Sequence, residues 1–167
     1  MRRLMAVVIF GLWLLIGCGR PTVLPREAAF VSQVPFRMLP GLRLVSPLTE
    51  KYGPGYYFIA LGLYNESGEY IWFPDSGYGA SSFIYLESEG KWVKLEDRSV
   101  YLSEAEKILP PKGKEEWWFG IVSVAPILPP DVQPPVTIRV VVVGRIYRDG
   151  KPTDEEVGTY LDVTLPP

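Results

Sequence analysis

No histidine occurs anywhere in the chain, and the only cysteine is Cys18. Histidine is the commonest general base, pH switch and metal ligand. Its absence excludes Ser-His-Asp and Cys-His catalysis, together with His-dependent zinc or copper sites. Carboxylates, aromatic rings and loops remain. Asp97, Glu104 and Glu106 could imitate the paired carboxylates of a glycosidase, and Asp149, Asp154, Glu155 and Glu156 could offer oxygens to calcium. The first group reads more simply as solvated surface. The second matches no calcium-loop spacing, Lys151 intrudes, and a solvated hairpin tip over 148–156 accounts for it. The expectation is a protein that is not an enzyme, with no catalytic residue, no metal site and no cofactor.

Aromatic residues are the better candidates for recognition. Four of the five tryptophans (Trp72, Trp92, Trp117 and Trp118) and all ten tyrosines lie beyond residue 18. Trp117 and Trp118 are adjacent, so on a strand they point to opposite faces. The alternation leaves open which of the two faces solvent. An exposed one near Tyr70, Trp72 or Tyr78 could form a platform for a sugar ring or an anchor for a protein. Equally, these rings could fill a core that has no disulfide to staple it. The stretch 73–82 (Phe-Pro-Asp-Ser-Gly-Tyr-Gly-Ala-Ser-Ser) reads as a loop between strands, with Tyr78 at its centre. Gly77-Tyr78-Gly79 has no strand-loop-helix context or following lysine, so it is not a phosphate loop.

The address of the protein is written in its first residues. Arg2 and Arg3 precede an apolar run from Leu4 to Ile16, shorter than the ~20 residues of a spanning helix. Leu15-Ile16-Gly17-Cys18 resembles the lipobox of bacterial lipoproteins. That resemblance implies a signal peptide over 1–17, cleavage before Cys18, and acylation of its thiol, palmitate included. The alternative is an ordinary signal peptide or short anchor with an incidental cysteine. The lipobox reading puts the protein in the cell envelope, on an extracytoplasmic membrane face. Without residues 1–17 there are 15 basic side chains against 19 acidic ones, a net charge of −4. No basic stripe exists, so nucleic acid is not an expected partner.

The rest of the chain positions the candidates. Residues 18–40 are proline-rich and read as a tether, joining the fold near 30–34. Residues 41–167 read as one domain of short strands. Expected strands cover 57–64, 70–73, 82–87, 91–95, 115–124, 136–147 and 157–165. Asn65-Glu66-Ser67-Gly68, Ser88-Glu89-Gly90 and Pro110-Pro111-Lys112-Gly113 supply turns between them. The run Val140–Val143 predicts a central strand buried on both sides. The only expected helix is a turn over 103–107. Prolines 126, 129, 130, 134 and 135 stiffen a connection between strands. About 7–9 strands with turns at this spacing predict an all-β, Ig-like antiparallel β-sandwich.

The order Ile59-Ala-Leu-Gly-Leu-Tyr-Asn-Glu-Ser67, Phe83-Ile-Tyr-Leu, Gly90-Lys-Trp-Val93, Ile108-Leu-Pro-Pro-Lys-Gly113 and Trp118–Val122 resembles secreted bacterial Ig-like modules. It is similar to uncharacterised lipoprotein modules and to the Ig-like proteinase inhibitor of bacilli. The likeness spans roughly residues 56–125 and rests on turn residues, so it assigns no functional residue. This chain has Pro-Lys-Gly where Pro-Gly is usual. The resulting expectation is a membrane-anchored, non-catalytic binding or assembly module for an envelope protein. Carbohydrate binding through Trp and Tyr, and proteinase inhibition, are the alternatives.

Overall fold

The computed structural model describes residues 25–53, 56–74, 81–89, 91–95, 106–123, 128 and 132–167, with backbone alone at 25–28, 52, 56 and 115–123. Alternating apolar residues along β-strands build two sheets that share one core. The larger sheet contains β1 (Arg37–Met38), β4 (Tyr70–Phe73), β5 (Ser82–Ser88), β6 (Lys91–Lys94), β7 (Lys107–Leu109), β9 (Val136–Arg148) and β10 (Lys151–Leu165). The smaller runs β2 (Leu42–Gly53), β3 (Tyr56–Asn65), β8 (Lys114–Ser123) in that order. Leu42, Leu44, Ile59, Leu61 and Leu63 from the small sheet meet Ile71, Phe73, Ile84, Ile138, Val140, Val142 and Ile146 from the large one. The fold is an all-β sandwich, as the strand pattern predicts.

β9 is the axis of the large sheet. One edge pairs with β10 along nearly its whole length. The other pairs with β5 over residues 138–142 and with β4 over 145–147. β4 and β5 therefore lie end to end along β9. Even-numbered residues from Ile138 to Ile146 face the core. Arg139, Val141, Val143, Arg145 and Tyr147 face outward, so both faces of β9 carry apolar cover where Val141 is fully buried. Gly144 points inward, where a Cβ would come within 2.9 Å of Phe73 and 2.6 Å of Ile71.

Three expectations need correction. The tether does not run to Pro40: Pro25–Gln33 forms helix α1, and Phe36 and Leu39 are buried in the domain. The prolines read as tether residues instead bound this helix, since Pro suits a first turn and disfavours helix in the residue before it. The hairpin tip is not a nine-residue loop. Asp149 and Gly150 make a two-residue turn, with φ of 53° and 76°, as a type I′ hairpin requires. β10 then begins at Lys151 and carries a bulge between Pro152 and Glu156, where Thr153 Oγ1 donates to Ile146 O (2.9 Å). Lastly, β2 is a full strand that alternation did not reveal, because a bulge at Ser46-Pro47 shifts its register midway. The helical turn expected at 103–107 lies outside the described residues up to 105, and Lys107 opens β7.

Turn chemistry fixes the end of β3. Asn65 is fully buried, and its Nδ2 donates to the carbonyls of Glu69, Leu109 and Pro110 at 2.8, 3.3 and 3.0 Å. Its Oδ1 accepts from Ser67 N and Ser67 Oγ. One side chain thus ties the β3–β4 turn to the β7–β8 turn. In the latter, Lys112 takes φ 59° and Gly113 N donates to Pro110 O.

Candidate functional site

The outer face of the large sheet carries the candidate site, because side chains aligned across strands meet there in rows. Asp162, Arg139, Tyr85 and Lys94 occupy successive cross-strand positions, as do Tyr160, Val141 and Phe83. A third row holds Glu156, Arg145 and Trp72. Helix α1 covers one end of this face through Phe30, which contacts the rings of Tyr85, Trp92 and Tyr160 edge-on at 5.1–5.4 Å. Gln33 Oε1 accepts from the Trp92 backbone N–H.

Beneath Phe30 lies Arg139, only 2% exposed. Its Nε and Nη2 donate to the two carboxylate oxygens of Asp162 at 2.7 and 2.8 Å. The guanidinium is flanked by Tyr160, Trp92 and Phe30, at 3.9, 4.1 and 4.7 Å from the ring centroids. Such a planar, weakly hydrated cation suits an aromatic cage. Nη1 is buried and has no hydrogen-bond partner among the described residues. This is a packing device under the helix, and it holds Tyr85 and Trp92 in place.

Next to the helix, the face opens into a groove of about 320 Å³. Pro35 and Phe36 form one lip. Trp72, Pro74 and Ser81 form the other, and Phe83, Tyr85 and Val143 line the space between, with Lys94, Arg145 and Glu156 around them. Phe36 lies against Gly158, where a Cβ would meet its ring at 2.9 Å and Val142 O at 2.6 Å. Pro74 follows β4 and Ser81 precedes β5, so both stand where these two strands meet along β9. Trp72 is half-buried, and its Nε1 donates to Glu106 Oε2 (2.8 Å). Lys94 Nζ sits 3.6 Å over the Phe83 ring, and Arg145 pairs loosely with Glu156 at 3.6 Å. Burial pushes the Tyr85 hydroxyl pKa above its usual value.

Of the residues singled out in the sequence, Trp72 lines this groove. Tyr70, 50% exposed, shares its strand and face, and lies opposite Tyr147 beyond the groove. Tyr78 and Cys18 lie outside the described residues. Trp117 and Trp118 belong to the other sheet, with Cα atoms opposite Leu61 and Ala60 of β3. They are not brought together with Trp72. Of the acidic candidates, Asp97 and Glu104 also lie outside the described residues. Glu155 pairs with Arg37 (2.5 Å), Glu156 with Arg145, and Glu106 with Trp72. Among the described residues no cluster of three metal-ligating side chains forms.

Sequence reasoning missed Phe36, Phe83, Tyr85, Lys94 and Arg145. A charged residue inside the valine-rich β9 was the available signal for Arg139, since arginine is rarely fully buried without a partner. The groove can bury an apolar group against rings and meet a charge at its margin. No family model matches the chain, and no curated protein matches it.

Proposed function

We propose that this protein is a lipid-anchored lipoprotein of the cell envelope, on an extracytoplasmic membrane face, whose β-sandwich is a non-catalytic binding module for an envelope protein. The aromatic groove carries this reading. It is a concave, ring-lined site on an outward sheet face, with few polar groups at its margin, which is the usual form of a recognition pocket. Trp72 is the anchor residue, in keeping with the enrichment of tryptophan at interface centres. Cys18 supplies the membrane attachment, and several acyl chains on it would hold firmly where one would bind only marginally.

The test is crosslinking and capture from native membranes with the wild type, Trp72→Ala and Cys18→Ser. The expected result is one discrete partner with the wild type, lost with Trp72→Ala. Cys18→Ser abolishes fatty-acid labelling of the protein and blocks cleavage, leaving residues 1–17 attached. Equal capture by wild type and Trp72→Ala refutes the groove, and cleavage and fatty-acid labelling of Cys18→Ser equal to wild type refute the anchor. A glycan-binding reading has one observation in its favour: exposed Tyr70 and half-buried Tyr147 lie at opposed cross-strand positions, with Tyr70 two residues from Trp72 on the same face. Chitotriose or cellotriose quenching tryptophan emission would support it.

A further inference from the structure

Building on the binding reading above, we infer that the groove recognises a peptide segment in which an aromatic residue is followed, two residues on, by an aspartate or glutamate. About 320 Å³ accommodates one large side chain with its backbone and little more. The walls select an apolar ring. Phe36, Trp72, Phe83 and Tyr85 contribute aromatic surface, and the one N–H on the Trp72 ring is already given to Glu106. A sugar would need acceptors and donors around its hydroxyls, since a buried hydroxyl without a partner is costly. The groove offers few: Ser81 is buried, and Arg145 and Glu156 face each other.

Charge picks the second determinant. Lys94 is exposed, its ammonium rests on the Phe83 face, and no described carboxylate pairs with it. This cation stands at the groove of a protein whose net charge is −2, so a carboxylate is its complement. Spacing follows from geometry. The ammonium, 3.6 Å over the Phe83 centroid, occupies that face. A ligand ring therefore packs against the Phe83 edge at about 5 Å between centroids, and a carboxylate bound to Nζ then lies roughly 6–7 Å from that ring. That is the distance between residues i and i+2 on one side of an extended chain, at about 3.3 Å per residue.

The experiment titrates the full chain in detergent micelles with acetyl-Phe-Gly-Asp-amide and follows the Trp72 indole N–H resonance. A saturable shift is expected with a Kd on the order of 1 mM, as one ring and one screened ion pair would give. Acetyl-Phe-Gly-Asn-amide should bind about fivefold more weakly, and Lys94→Gln should lose the Asp peptide by the same factor. The Asn peptide should not distinguish Lys94→Gln from wild type. Acetyl-Ala-Gly-Asp-amide should give no saturable shift. Equal affinity for the Asp and Asn peptides, no shift by about 10 mM, or a response to chitotriose alone overturns the inference. The two readings fail separately: if the peptides fail while Trp72→Ala still abolishes partner capture, the binding module stands and only its ligand is wrong.

Discussion

Asp162→Asn should destabilise the domain far more than Arg139→Met, although both break the same ion pair. Arg139 makes two charge-assisted bonds to Asp162, at 2.7 and 2.8 Å. Each such bond contributes about 1.5–3 kcal/mol. The Asp162 side chain is 36% exposed, so water screens roughly half of that, leaving about 2–3 kcal/mol. Asparagine leaves the guanidinium buried and unpaired, the costly way to break such a pair. Methionine removes the charge instead. It forfeits the aromatic cage contacts, about 0.5–1 kcal/mol each, but relieves the orphaned Nη1, about 1–3 kcal/mol. It also relieves the guanidinium's desolvation, and sulfur keeps contact with the rings. The net change should stay within about 1 kcal/mol. Thermal unfolding at neutral pH, followed by near-UV circular dichroism, reads the difference. At ~4 °C per kcal/mol for a domain of this size, Asp162→Asn should lower Tm by roughly 10 °C and Arg139→Met by under about 4 °C. A larger loss for Arg139→Met would refute the argument that the buried charge opposes the packing around it.

Other outcomes follow from single residues. Asn65→Ala removes five hydrogen bonds that join two turns, and should cost roughly 3 kcal/mol in a denaturant titration. Gly158→Ala forces a methyl group into Phe36 and Val142 O. It should destabilise by about 1–3 kcal/mol and weaken the peptide titration, because Phe36 forms a groove lip. The raised pKa of Tyr85 means that the folded protein holds this proton more tightly than the unfolded chain does. The corresponding stability is present below the unfolded value of about 10 and is lost as pH rises above it. Tyr85→Phe should therefore flatten the fall of Tm between about pH 9.5 and 11 relative to wild type, and parallel curves would contradict the desolvation argument.

Strands whose apolar residues alternate without interruption were legible. The segments 57–64, 82–87 and 136–147 reappear as β3, β5 and β9 with small changes at their ends, and Val140–Val143 is central as its composition requires. Elements broken by a register shift were not. β2 changes face at Ser46-Pro47, and the start of β10 is masked by its bulge and four acidic or polar residues. Helix α1 was hidden because two of its signals, Pro25 and Pro35, also fit an extended tether. Trp72 was visible as a candidate, but the groove was not. Its rings come from β4, β5 and the segment before β1, and only the pairing of β4 and β5 along one edge of β9 brings them together.

The central claim is that the groove contacts a protein partner in the envelope. A photocrosslinking residue in place of Glu156, in the full-length protein expressed in its native membrane, tests this most directly. Thr164, exposed on the same face and strand, provides the control position. The account predicts one discrete adduct from position 156, suppressed by excess acetyl-Phe-Gly-Asp-amide, and none from position 164. Identical adducts from both positions, or none from position 156, would contradict it.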